Sequence, residues 1–431
     1  MAITQNMRSG ATLELLKTTG VGPAKELECE FAPRLNLITG DNGLGKTFLL
    51  ECAWWVLTGN WAGYEPYPHE DTTRDFPSIT FQISKESQLD RPQTVKYNWN
   101  KLAWNTPTTG SVLPGLSVFA QADGAFAVWD PSKHLLHDER PKVNSLITFS
   151  SEEIWNGKEE RQDNQISSLC NGLIRDWVTW QSVDKDRFAE FSTLLERLSP
   201  DPTKELLIPG PLTKLPLDDR YIPTLEFPYG NVPIVLCSAG IRRILALAYL
   251  LVWSWNAHVE TSKLMRREPS RSIVLLIDEM EAHLHPLWQR VITPALMNVV
   301  KALDSEVETQ LIIATHSPLV LASVEPLFND QKDKLFHLYH EENGSVLLDE
   351  VPFITRGRVD LWLTSNIFGL KQPRSKVAED TIEKAKALQR KKEPSKEEVQ
   401  EVSEALSRVL APDDQFWPRW TYFAEREGVE L

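Results

Sequence analysis

The chain has 431 residues, 42% apolar and 25% charged, with 15 Trp and 16 Phe, enough to bury one large core or two ordinary ones. No stretch approaches the ~20 apolar residues of a membrane helix and the N-terminus lacks a signal-peptide pattern, so a cytoplasmic chain without a membrane partner is expected. The formal net charge of −14 excludes whole-surface attraction to nucleic acid, and four dispersed cysteines, Cys29, Cys52, Cys170 and Cys237, exclude a disulfide framework or zinc site.

The first sixty residues read as strands feeding a helix. ATLELLKTTG and KELECEFA alternate apolar and polar, RLNLITG is a short apolar run ending in glycine, and FLLECAWWVLTG has helical length with a glycine stop. SITFQIS, TVKYNWN and LSVFAQ, separated by turn residues, predict an antiparallel layer beside the main sheet. Ile166, Leu169, Leu173, Trp177 and Trp180 recur at helical spacing and predict helix over roughly 151–200. The proline-rich 200–233 reads as loop and short edge strands.

From Cys237 onward, AGIRRILALAYLLVW predicts a helix, SIVLLIDE a buried strand, HPLWQRVITPALMNVVKAL one amphipathic helix and TQLIIATHS a second buried strand. Alternating strand and helix implies an α/β fold with a mostly parallel core sheet. After Leu370 the chain is strongly charged, with a helix over Lys376–Arg390 and a second opened by a Ser395/Glu398 capping box.

Four motifs carry chemistry. Gly40-Asp41-Asn42-Gly43-Leu44-Gly45-Lys46-Thr47 fits G-x-x-x-x-G-K-[ST], set between strand and helix. Glycines let the backbone curl so that its N–H groups face phosphate oxygens, and the helix adds its positive N-terminus. Lys46 would meet the β/γ phosphates of ATP and the Thr47 hydroxyl would hold Mg²⁺. Ile273–Glu279 delivers two carboxylates at a strand's C-terminal end: Asp278 as a metal ligand, Glu279 as the base that takes a proton from the attacking water. Leu311–Ser317 ends another buried strand in His316, placed to contact the γ-phosphate and seat the water. Cys237-Ser238-Ala239-Gly240 opens the long helix: Ser238 is a natural N-cap, and the same N–H groups could bind a second ATP.

The order of these motifs resembles that of ABC-type ATPases, specifically the soluble SMC, RecF-like and OLD-like branch. The resemblance implies an ABC-type P-loop NTPase head with an antiparallel side layer, a helical insert and a charged helical C-terminal extension. It also implies that Ser238 and Gly240 of one subunit close over ATP held by another, giving a head-to-tail dimer or larger assembly. Gln121, ending Ser117-Val-Phe-Ala-Gln121, matches by position the glutamine that such ATPases direct at Mg²⁺ and the water. Glu281-Ala-His-Leu-His285-Pro286 looks like that branch's D-loop, which makes His283 and His285 interface residues rather than metal ligands.

The domain pattern is then 1–150, an N-terminal ATPase lobe; 151–235, a helical insert and proline-rich connection; 236–370, a C-terminal ATPase lobe; and 371–431, a charged tail. A Ser-Ala-Gly-Ile-Arg signature in place of Ser-Gly-Gly-Gln argues against a transporter subunit, and the lack of a long heptad run argues against an SMC protein proper. Compact ATPases of bacterial anti-phage systems (Septu-type, PARIS-type, retron-linked) are the finer resemblance, carried by LNLITGDNGLGKTFLLECAWW, LIDEMEAHLHP and the tail NIFGL…DDQFWPRW. It implies a nucleotide-gated complex with an effector. No nuclease constellation follows His316, so a nuclease or toxin would be a separate protein. Two further readings stay open: a RecF/SMC-like repair ATPase that clamps DNA itself, and a non-hydrolysing scaffold in which Glu279 is idle. The tail reads either as a partner-binding surface or as a solvated hairpin on its own core.

Overall fold

A computed structural model describes residues 8–69, 77–85, 88–89, 91–107, 112–137, 145–162, 165–200, 206–216 and 218–430. They form two compact units, Met1–Gly357 and Arg358–Leu431.

The first unit is of the α/β class. Its eight-stranded sheet runs, edge to edge, Leu146–Phe149, Phe126–Trp129, Leu116–Ala120, Ser272–Asp278, Glu308–Ala314, Leu35–Gly40, Asp333–His340 and Val346–Val351. Leu116–Ala120 through Asp333–His340 are parallel to one another, while the outer pairs are antiparallel. Ser272–Asp278 is buried throughout, which explains its unbroken apolar sequence: a parallel strand covered on both faces has no solvent side to alternate toward.

A second, mostly antiparallel sheet is built on Arg8–Thr19, with Glu26–Glu30 and Ser78–Lys85 beside it and Gln93–Asn98 beyond. The helix Lys46–Thr58 packs between the sheets, and its Trp54 and Trp55 join residues of both in one core. Trp54→Ala is expected to cost about 3–5 kcal/mol, the usual loss for truncating a buried aromatic, read as a lowered Tm. Gln310 stitches the layers: its side-chain carbonyl accepts from Leu13 N at 3.0 Å and its amide donates to the Leu13 and Ala32 carbonyls at 2.8 and 2.9 Å.

Three expectations need correction. LSVFA lies in the main sheet, parallel to Ser272–Asp278, not in the side layer. Ile166 and Leu169 sit on a strand, Gln165–Cys170, paired with Lys158–Gln162; Ile166 is 60% exposed. Helix begins only at Leu173. The amphipathic helix from Pro286 is also broken, into Pro286–Gln289, Ile292–Val299 and a 3₁₀ turn. Val291 leaves helical geometry at φ −121°, and Pro294, three residues on, has no N–H to continue a hydrogen-bond ladder across the break.

A buried pair ties the far half of the helix Ala239–Leu264 to the sheet. His258 Nε2 accepts from the Ser270 N–H at 2.9 Å, so its Nδ1–H donates to Asp130 at 2.7 Å. Burial alone would raise the Asp130 carboxyl. The hydrogen bonds from His258 and Ser132, with the nearby positive charge, outweigh it and hold Asp130 below its usual 3.8. A carboxylate depressed in the fold stabilises it above the unfolded pKa, and the contribution is lost as pH falls through the folded value. Thermal stability should therefore decline as pH drops below about 3.8. Asp130→Asn should flatten that part of a Tm-against-pH curve while lowering Tm at neutral pH.

The second unit is helical, with Lys376–Gln389, Lys396–Val409 and Trp417–Arg426 around a core of Ile382, Val399, Leu406 and Trp420. Ser395 accepts from Glu398 N and Glu398 from Ser395 N, the predicted capping box. Asp414 accepts from Phe416 N and pairs with Arg374, holding the turn before the last helix. Among the described residues no helix is long and apolar enough to cross a membrane.

Candidate functional site

Register brings the motifs to one end of the main sheet. Asp278 lies opposite Ala314, Ala314 opposite Ile38, and Ile277 opposite Ala120. Gln121, Asp278-Glu279, Thr315-His316 and the loop after Gly40 therefore leave neighbouring parallel strands at the same C-terminal edge, where ligands of such sheets bind.

The glycines of the loop are not equivalent. A Cβ on Gly40 would stand 2.3 Å from the Leu338 carbonyl oxygen, and one on Gly45 2.3 Å from Pro23 Cγ, both at positive φ. One on Gly43 would meet open space at φ 79°. Gly43→Ala is thus expected to cost only the left-handed backbone penalty of about 1–2 kcal/mol. Gly45→Ala adds a clash with a rigid ring and should lower Tm distinctly further in the same unfolding assay.

Lys46, 4% exposed, donates to the carbonyls of Gly40 at 3.0 Å and Asp41 at 2.9 Å. Burial lowers its pKa, against the opposing charges of Glu279, Asp278 and Asp41. Thr47 Oγ1 donates to Asp278 Oδ2 at 2.7 Å. Asp278 is 1% exposed and its Oδ1 has no hydrogen-bond partner among the described residues. Burial raises the Asp278 carboxyl; Glu279 adds to the rise, while the Thr47 bond, Lys46 and Arg243 oppose it. A buried carboxylate with an orphaned oxygen beside a threonine hydroxyl fits a hard divalent cation, which would supply the missing charge. No group of three or more His, Cys, Asp or Glu that could hold a metal occurs among the described residues; a magnesium site of this kind asks for one carboxylate, a hydroxyl, phosphate oxygens and water.

Glu279 turns out of its strand at φ 48°, a conformation costly for a non-glycine residue. Its N–H donates to the Ala314 carbonyl at 3.0 Å, and its Oε1 lies 2.8 Å from His316 Nε2. Both side chains are about one-third exposed, so each is open to a ligand.

Two residues with no role assigned from sequence complete the arrangement. Arg243, in the second turn of Ala239–Leu264 and 8% exposed, donates to the carbonyls of Gln121 at 2.9 Å, Ala122 at 3.3 Å and Asp278 at 2.8 Å. Burial lowers its pKa, and Glu281 leads the carboxylates that oppose this. Glu281 Oε1 accepts from Thr315 Oγ1 at 2.5 Å and from His316 N at 2.9 Å. For Arg243 the sequence held a signal: a charge directly before a run of ten-odd apolar helical positions needs buried partners.

Gln121 stands at the same edge, its carbonyl held by Arg243. Ser238 is exposed and caps its helix, accepting from Ile241 N at 3.4 Å. Gly240 is buried against the D-loop: a Cβ there would come within 2.8 Å of the His283 carbonyl oxygen. No hydrogen bond among the described residues joins Ser238 or Gly240 to the loop or the carboxylates of the same chain. His285 caps Pro286–Gln289 through its own ring.

Parts of the chain match known proteins. Residues 16–199 match a family described as "AAA domain" and residues 226–322 one described as "AAA domain, putative AbiEii toxin, Type IV TA system". The chain is 45% identical over 256 residues to the Retron Vc95 probable ATPase of Vibrio cholerae serotype O1 biovar El Tor, covering 59% of this chain and 47% of that one. It is 26% identical over 344 residues to the Septu protein PtuA of Bacillus mycoides (strain KBAB4), covering 79% of this chain and 41% of that one. The chain thus spans less than half the length of these relatives. An SMC head domain from Thermotoga maritima aligns at 15% identity and a TM-score of 0.36, over 79% of this chain and 99% of that one. The chain is therefore similar to retron probable ATPases and to the Septu protein PtuA.

Proposed function

We propose that this chain, an SMC/RecF-like P-loop ATPase by its fold and its relatives, binds Mg-ATP at Gly40–Thr47 and hydrolyses it. The observation that carries the reading is the set of contacts at one sheet edge: Thr47 on Asp278, Lys46 buried beside them, and Glu279 paired with His316. Lys46 exchanges its two loop carbonyls for β/γ-phosphate oxygens, and the loop N–H groups take the rest. Thr47, Asp278 and Gln121 would hold Mg²⁺, which would supply positive charge against the phosphates. Glu279, with Oε1 engaged by His316 Nε2–H, keeps Oε2 to accept the proton of the attacking water. His316 orients that carboxylate and the water.

Ser238 and Gly240 act on a second copy. Ser238 is exposed and Gly240 seats the helix end against the D-loop, so the helix N-terminus is presented outward. ATP then closes a head-to-tail dimer, as the start of a larger assembly. The four-part division at 150, 235 and 370 follows this logic: two ATPase lobes, an insert between them, and a tail for partners.

The biological role we assign is that of the cytoplasmic ATPase subunit of a bacterial anti-phage complex, in which nucleotide state gates a separate nuclease or toxin. Support comes from the retron and Septu relatives. The test is to co-express the chain, as Glu279→Gln, with its native neighbouring genes and purify it in Mg-ATP. A stoichiometric effector in the purified complex is expected. A bare dimer that retains DNA would overturn the gating role in favour of a repair ATPase.

A further inference from the structure

We infer that Glu281 is a positioning residue for hydrolysis, the clamp that sets His316 against Glu279; this rests on the site being an ATP-hydrolysing one. Glu281 is 8% exposed, and a buried carboxylate needs partners to justify its desolvation. Both of its hydrogen bonds go through one oxygen, Oε1, to the Thr315 hydroxyl and the His316 backbone N–H. Those donors lie at the end of the strand Glu308–Ala314, whereas Glu281 follows the end of Ser272–Asp278. The Thr315 hydroxyl in turn accepts from Ser317 N at 3.0 Å, and Thr315 N donates to the Ile38 carbonyl at 3.0 Å. One oxygen atom therefore fixes the backbone from which His316 projects, relative to the turn from which Glu279 projects.

The turn has reason to need such a clamp. Glu279 at φ 48° and His283 at φ 68° are both left-handed, so the segment between them is held in a conformation its residues disfavour. Glu281 itself makes no hydrogen bond to Lys46 or Thr47 among the described residues, so its hydrogen-bonded route to the reacting atoms passes through His316.

A glutamine can present the same acceptor oxygen without the charge; an alanine cannot. Glu281→Ala should lower kcat on the order of 100-fold, the scale of an ångström-level misplacement of a catalytic group, with ATP affinity unchanged. Glu281→Gln should retain most of kcat. Thr315→Val, which removes one donor and keeps the shape, should lower kcat less than Glu281→Ala and likewise spare affinity; it carries the test if the alanine variant fails to fold.

A readout free of turnover is the Cε1–H resonance of ¹³C-labelled His316 in the nucleotide-free chain, assigned with His316→Gln. Glu279→Gln should shift this resonance in the parent protein, and should no longer shift it in a Glu281→Ala background. Equal losses in Glu281→Gln and Glu281→Ala, unchanged kcat in Thr315→Val, or a Glu279→Gln shift that survives Glu281→Ala would overturn the inference. A parent chain with no ATP turnover would sink the ATPase reading instead, and the resonance measurement would still decide whether Glu281 sets the pair.

Discussion

Glu279→Gln is expected to reduce ATP turnover by a factor on the order of 10²–10⁴, the range general-base catalysis supplies, while ATP binding is kept or tightened. The substitution preserves size and leaves an oxygen that His316 Nε2 can still reach, so the 2.8 Å contact and the turn at φ 48° survive. What is lost is the proton acceptor. Removing one carboxylate from a cluster that already holds a buried Asp278 also lessens repulsion toward triphosphate. Steady-state phosphate release and fluorescent-nucleotide binding separate the two effects. Full turnover in the glutamine variant would return the protein to the scaffold class, with Glu279 idle.

Lys46→Met is expected to weaken ATP binding by about 100-fold: two charge-assisted hydrogen bonds to phosphate at roughly 1.5 kcal/mol each come to about 3 kcal/mol, with 1.4 kcal/mol per tenfold. The free protein should scarcely notice. Its ammonium now satisfies two loop carbonyls only, and burial disfavours its charge, so an apolar chain of similar length costs little. A Tm unchanged without nucleotide, joined to loss of the Tm rise that Mg-ATP gives the parent, is the predicted pattern. A large Tm loss in the free protein would mean that Lys46 is chiefly a structural brace.

Much of this arrangement is legible in residues alone because the loop, the Asp-Glu strand and the histidine strand each join a distinctive residue to an element that periodicity defines. A buried parallel strand reads as an unbroken apolar run, and its C-terminal end is then a known place. The strand pairing that brings Asp278 beside Ala314 is not written in either segment. The hairpin Lys158–Cys170 was illegible for the opposite reason: Ile166 and Leu169 fall by chance at helical spacing with the true helix that follows at Leu173, and its polar flanks carry little apolar signal. Arg243 and Glu281 escape because their partners lie far along the chain, the Gln121 and Asp278 carbonyls for one, the Thr315 hydroxyl and the His316 N–H for the other. No local pattern encodes a carbonyl's need for a donor. Ser238 shows the reverse case: its capping bond satisfies the bland reading in full, and only a second copy can reveal another use.

The dimer we propose has ATP held by one copy closed over by the Ser238 helix end of another. The most direct test is the solution mass of Glu279→Gln by light scattering, with and without Mg-ATP, beside the same chain carrying Ser238→Arg. Mass should double only with nucleotide, and Ser238→Arg, though it still binds ATP, should remain a monomer. A mass that ATP leaves unchanged, or a doubling that survives Ser238→Arg, would contradict it.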